Sequence, residues 1–131
     1  MADETQPLTA KGAGIDELPQ LWDGFANLVR PGLGLSAFGA NIMNLPPDYS
    51  TKSHDEMATG QEELYVALRG SGEVLLDETG EKLTLDAEHL VAVGPEVART
   101  LSSGSEGLRV LIVGGKPGAP YEAPDWSSSG E

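Results

Sequence analysis

The sequence predicts a single all-β domain, a short-stranded sandwich or barrel, on three observations. Between residues 33 and 113, strand-length apolar runs alternate with turn residues at roughly eight- to twelve-residue spacing. Seventeen glycines and nine prolines are spread along the chain rather than gathered in one tract, which supplies many tight turns. No segment alternates a strand with a long helical pattern, so a parallel α/β architecture is not expected. At 131 residues the chain is one domain long and can bury most of its apolar surface unaided.

Residues 1–14 lack apolar periodicity and are expected to be a flexible N-terminal segment. Leu18 to Val29 carries Trp22, Phe25 and Leu28 at helical spacing, but Pro19, Gly24 and Pro31-Gly32 break it. The expectation there is an irregular arm whose aromatics cover one end of a barrel. Leu33 to Leu45 reads as the first strand, stopped by Pro46-Pro47, and a polar loop follows over Asp48 to Gln61. Glu63 to Arg69 is the next strand, with a turn at Gly70-Ser71-Gly72. Glu73 to Leu76 and Glu81 to Leu85 flank a hairpin turn at Asp77–Gly80. Leu90 to Val93, Val97 to Leu101 and Leu108 to Val113 complete the strands, the last two separated by a Ser/Gly/Glu loop at 102–107. The domain is placed at 15–121, with 122–131 as a C-terminal tail.

Composition excludes several functions. There are no cysteines, so disulfides, thiolate chemistry and sulfur-ligated zinc are ruled out. A formal charge of −13 repels phosphate backbones and anionic lipid, so neither nucleic acid nor membrane is an expected partner. Such a charge ordinarily serves solubility, and a salt-rich cytoplasm is the sharper reading. The acidic start of the chain does not resemble a signal peptide, and the longest apolar runs are of strand length. The expected location is cytoplasmic. No nucleophile elbow, phosphate loop or dinucleotide fingerprint is present.

Period-two alternation puts Glu63, Tyr65 and Ala67 on one face of their strand, with Leu64, Val66 and Leu68 on the other. Tyr65 and Glu63 would then line one interior. Asn41 and Met43 are candidates for the facing wall. His54 lies in the polar loop beside Asp55 and Glu56, and His89, in the Asp86–His89 turn, reads as a surface residue.

Residues 46–99 resemble the cupin superfamily. The run Glu63-Leu-Tyr-Val-Ala-Leu-Arg-Gly70 matches the Glu-x6-Gly half of its first motif, and Leu85 through Arg99 is similar to its second. The lead-in Leu45-Pro-Pro-Asp, the phrase Gly60-Gln-Glu-Glu-Leu-Tyr-Val66 and the closing Gly114-Gly-Lys-Pro-Gly-Ala-Pro-Tyr121 look like those of small bacterial single-domain cupins of the RmlC-like kind. The resemblance spans about residues 33–121. It implies a cupin double-stranded β-helix, or jelly-roll barrel, small-molecule binding and a homodimer.

Cupin metal sites use three histidines and one glutamate. Here the paired histidines are replaced by Lys52-Ser-His54 or by His54-Asp-Glu56, and the shorter spacing to Glu63 favours the second. The third histidine position holds Arg99. Two site readings follow. His54, Glu56 and Glu63 would hold a divalent metal (iron, manganese, nickel or zinc) in an enzyme of dioxygenase, isomerase or decarboxylase type. Alternatively, Arg99 pairs with Glu63 in the metal's place, its planar fork suiting a carboxylate, and the pocket around Glu63, Tyr65 and Arg99 binds a small molecule without a metal. A third reading is a non-catalytic dimeric scaffold with a filled barrel.

Overall fold

In the computed structural model, which describes residues 7–128, seven strands form a continuous antiparallel sheet curled into a barrel. They are β1 (Gln20–Leu21), β2 (Ala26–Leu28), β3 (Gly39–Leu45), β4 (Glu62–Leu76), β5 (Lys82–Leu85), β6 (Val91–Val93) and β7 (Arg99–Gly115). The helical pieces are a 3-10 turn at Ile15–Glu17, α1 (Val29–Leu33) and α2 (Asp125–Ser128). None of these is long and apolar enough to cross a membrane.

Two long strands organise the barrel. β4 pairs with β7 along nearly its whole length, Glu62 opposite Gly115 at one end and Leu76 opposite Arg99 at the other. The register breaks between Ala67 and Arg69 and again between Gly70 and Gly72. Because of these bulges each strand bends and serves both sides of the barrel. β6 lies beside the first part of β4 (Glu63–Tyr65) and β5 beside the last part (Gly72–Leu75). β3 pairs with the end of β7, from Leu45–Leu108 to Gly39–Gly114.

The expected turn at Gly70-Ser71-Gly72 and the expected loop at 102–107 are therefore corrected: both lie inside strands. The glycines permit a close strand approach instead of a reversal. Gly70 has φ +78°, and a Cβ there would collide with the Gly107 carbonyl oxygen; one at Gly72 would collide with that of Ser102. The first strand is also shorter than expected, starting at Gly39, because α1 occupies its proposed beginning and ends at the left-handed Gly34. The N-terminal arm is more regular than its sequence indicates, since β1 and β2 extend the sheet beyond β3. Of the flexible segment and tail proposed at the ends, residues 1–6 and 129–131 lie outside the described residues.

Alternation then sorts the side chains. Tyr65, Val74, Leu85, Val91, Leu101 and Val110 meet in the core, while Leu64 and Leu68 sit on the outer surface. Arg99 shares the inward parity of Leu101 and Ser103 and is completely buried.

Gly80 provides a control for the strand approach: its φ is also +78°, but a Cβ there meets nothing within 4 Å. Gly80→Ala is expected to cost about 1 kcal/mol, the left-handed penalty alone. Gly70→Ala adds a backbone collision and is expected to cost at least about 2 kcal/mol more. Urea unfolding of the two variants checks this; equal losses would mean the strands do not approach closely at Gly70.

Candidate functional site at the barrel mouth

The backbone sets His54 against Arg99. After Pro46-Pro47 the chain runs antiparallel to the start of β7, Thr51 donating to the Leu101 carbonyl at 2.9 Å. His54 and Arg99 then exchange both backbone hydrogen bonds, at 3.0 and 2.9 Å. Residues paired in this way project their side chains to the same face. The chain next closes a tight turn in which the amides of Thr59 and Gly60 donate to the Glu56 carbonyl, and the Glu56 amide donates to Pro95. The Thr59 hydroxyl donates to Glu56 Oε1 at 2.8 Å and steadies that carboxylate. Glu63 is the first inward residue of β4. It lies opposite Gly114, where the missing side chain leaves room.

These elements bring together all the site residues proposed from sequence. His54 Nε2 lies 3.5 Å from Glu56 Oε2 and 3.8 Å from Glu63 Oε1. Beneath them, Tyr65 donates its hydroxyl to Glu63 Oε1 at 2.8 Å, and Arg99 Nη2 lies 3.5 Å from the same oxygen. Arg99 Nη1 donates to the Val97 carbonyl at 3.0 Å, whereas Nε and Nη2 have no hydrogen-bond partner among the described residues. His89 is outside the site, exposed and hydrogen-bonded to Asp86.

Burial and charge act against each other on these groups. Burial pushes the Glu63 carboxyl up, but contacts with His54 and Tyr65 and the Arg99 charge outweigh it and hold Glu63 below 4.5. The Glu63 contact raises the His54 imidazole above 6.5, against opposing contributions from burial and Arg99. Burial, reinforced by the Glu63 charge, raises Tyr65, so its phenol stays a donor.

A cavity of about 300 Å³ opens above this cluster. His54, Glu56 and Glu63 form its floor, and Asn41, Met43 and Ile112 form a wall. Trp22, Tyr121 and Trp126 roof it, the two tryptophan rings 5.4 Å apart at 36°. Trp22 and Asp23 both have φ of 54°, a turn that puts the indole over the mouth. Tyr121 seats against Gly39, where any side chain would run into its ring. Arg99 and Tyr65 do not line the cavity; both lie below its floor. A larger open groove of about 550 Å³, against Phe38, Leu64 and Val113, shares only Glu63 and Gly114 with the site.

Sequence reasoning named His54, Glu56 and Glu63 together and Asn41 and Met43 for the facing wall, and it placed aromatics of the N-terminal arm at one end of the barrel; its expectation that Tyr65 and Arg99 line the pocket is corrected, since both inward side chains are buried beneath the floor. It missed Tyr121, Trp126 and Gln61 as parts of the site. Nothing local marks them, because the Pro/Gly-rich stretch reaches the mouth only once the barrel exists.

One ligand atom from each of His54, Glu56 and Glu63 lies within 4.8 Å of the others, a spacing that a single divalent ion can span. The donor set fits such an ion in number and type. The Arg99 guanidinium against Glu63 opposes it in charge.

The His54 contact is open to direct measurement. The imidazole is expected to titrate above 6.5 by proton NMR, and Glu63→Gln is expected to lower its midpoint by removing the main raising influence. An unchanged midpoint would mean that the two side chains do not meet in solution.

No protein-family model and no curated relative matches the sequence. Solved structures do match the fold. A cupin protein from Bacteroides fragilis is 22% identical, with 97% of this chain and 95% of that one covered and a TM-score of 0.62. A protein with a double-stranded β-helix domain from Klebsiella pneumoniae is 15% identical, covering 88% and 100%, at a TM-score of 0.64. An RmlC-like cupin from Desulfovibrio desulfuricans is 15% identical, covering 81% and 96%, at 0.62. The antiparallel barrel built on two long paired strands, and its likeness to these structures over nearly their whole lengths, give this chain the cupin fold.

Proposed function

We propose that the protein binds a small molecule at the barrel mouth, with the Arg99–Glu63 pair standing where a metal would otherwise sit. One observation carries this reading: a wholly buried guanidinium lies 3.5 Å from the carboxylate that would be the principal metal ligand. A divalent ion about 4 Å from a fixed positive charge is opposed by roughly 8 kcal/mol at an effective dielectric constant near 20. Arg99 cannot relieve that repulsion by losing a proton. It supplies the countercharge that Glu63 needs in order to stay ionised under the floor. The cavity above, with a polar floor and an aromatic roof, has the character of a ligand pocket at the small end of the usual size range. It also argues against a barrel filled to its mouth, the scaffold reading.

The spacing of His54, Glu56 and Glu63 favours a second reading, a metal-dependent enzyme. A divalent ion held there would act as a Lewis acid, polarising a substrate oxygen. His54 would have to be neutral to ligate, and Glu56 would be held in place by Thr59.

Elemental analysis of the purified, dialysed protein, beside a His54→Ala control, separates the two readings. The expected result is less than about a tenth of an equivalent of iron, manganese, nickel or zinc in either sample. Near-stoichiometric metal that vanishes in His54→Ala would establish the enzyme reading instead. Arg99→Met, which removes the buried cation but keeps its bulk, is expected to destabilise the fold by about 3–5 kcal/mol because Glu63 loses its partner. A loss below about 1 kcal/mol would show that the pair does not hold the floor.

A further inference from the structure

Which ligand would such a mouth select? The chemistry of the floor narrows the choice. Glu56 and Glu63 line the cavity with two carboxylates, against the single guanidinium of Arg99 beneath them. The positive member is out of reach: Arg99 is fully buried, and Glu63 lines the cavity while Arg99 does not. An incoming group therefore meets carboxylate oxygens, not the guanidinium.

The uncommitted polar atoms point the same way. Asn41 Oδ1 is buried without a hydrogen-bond donor among the described residues. Gln61 is 92% buried and lines the cavity, and its side-chain amide makes no hydrogen bond among the described residues. Both offer acceptors to a bound donor. Above them, Trp22, Tyr121 and Trp126 present aromatic surface, whose ring faces attract cations and apolar groups and disfavour anions. The chain's charge of −13 draws cations toward the mouth and repels anions.

Building on the metal-free binding reading of the same site, we propose that the pocket takes a small organic ammonium ion. Its three N–H groups donate to Glu56, Glu63 and one of the Asn41 and Gln61 side chains, and its compact apolar or aromatic group packs under Trp22, Tyr121 and Trp126. A carboxylate ligand would have to displace Glu63 to reach Arg99. A neutral alcohol would leave the negative charge of the floor unanswered.

Isothermal titration calorimetry on the full chain, freed of metal with a chelator, tests this with three probes of one shape: benzylammonium, benzyl alcohol and phenylacetate. Benzylammonium is expected to bind at least tenfold more tightly than benzyl alcohol, and phenylacetate to give no binding heat. Glu56→Gln is expected to weaken benzylammonium at least tenfold with the melting transition retained. Trp126→Ala, which lies beyond the last strand, is expected to weaken it about threefold or more while keeping the preference over the alcohol. Phenylacetate binding as tightly as the amine would overturn the ammonium assignment while leaving a small-molecule pocket in place. So would equal binding of amine and alcohol. If no probe binds and manganese binds stoichiometrically, both the ammonium assignment and the metal-free reading fall.

Discussion

The pairing of two long, bent strands, β4 and β7, is the constraint on which everything else rests. Within the sheet, Arg99 pairs with Leu76 and Glu63 with Gly114, so the two residues stand at opposite ends of the β4–β7 ladder. Their side chains meet only because both strands bend at the glycine approach and carry their ends to opposite walls of one interior. Without that bend, a guanidinium of inward parity would face an apolar core with no carboxylate in reach, and burying it would be prohibitive. The fold and the ion pair are thus coupled: the barrel brings the charges together, and the charges make a polar floor tolerable inside it.

The floor is held by partial compensation rather than by full pairing. Glu63 receives Tyr65 and contacts both Arg99 and His54, while the Arg99 side chain makes one hydrogen bond among the described residues, to Val97. The pH dependence of such a cluster has two edges. Glu63, held below 4.5, contributes stability that is present above that value and lost as the pH falls through its depressed pKa. His54, raised above 6.5, contributes stability that is present below that value and lost as the pH rises through its raised pKa. The His54 side chain is 45% exposed, so solvent screens the second edge and the first dominates.

How much of this was legible in the chain depends on the range of the interaction involved. Glu63, Tyr65 and Ala67 share a face by period two alone, and Arg99 could be placed from its position in the second motif. His54 and Glu56 were assigned by resemblance to the first cupin motif, with the spacing to Glu63 choosing between two alignments. The glycines at 70 and 72 were misread because glycine marks a reversal and a close approach with the same letter, and only the partner strand distinguishes them. The run at 102–107 is rich in serine and glycine and has no apolar alternation, yet it lies inside β7: Ser102 and Ser103 pair with β4, and 104–107 span the register shift before pairing resumes at Leu108. The roof was the least legible part: Trp22 was expected at one end of the barrel, but its partner Trp126 is more than a hundred residues away and belongs to a stretch composed like a tail.

An arginine at inward position 99 gives the site properties that a metal centre would not have. A metal ion can leave and return, can bind a substrate atom, and can take up or release the charge of a reacting group. A guanidinium buried beneath Glu63 does none of these things, since it keeps its proton and does not reach the cavity. Its effect is transmitted through Glu63, whose carboxylate the His54 and Tyr65 contacts and the Arg99 charge together keep ionised. The group presented to a ligand is then a preorganised acceptor in place of an electrophile. A floor of that kind suits recognition of a donor, and the three aromatic rings above it suit retention of whatever the donor carries.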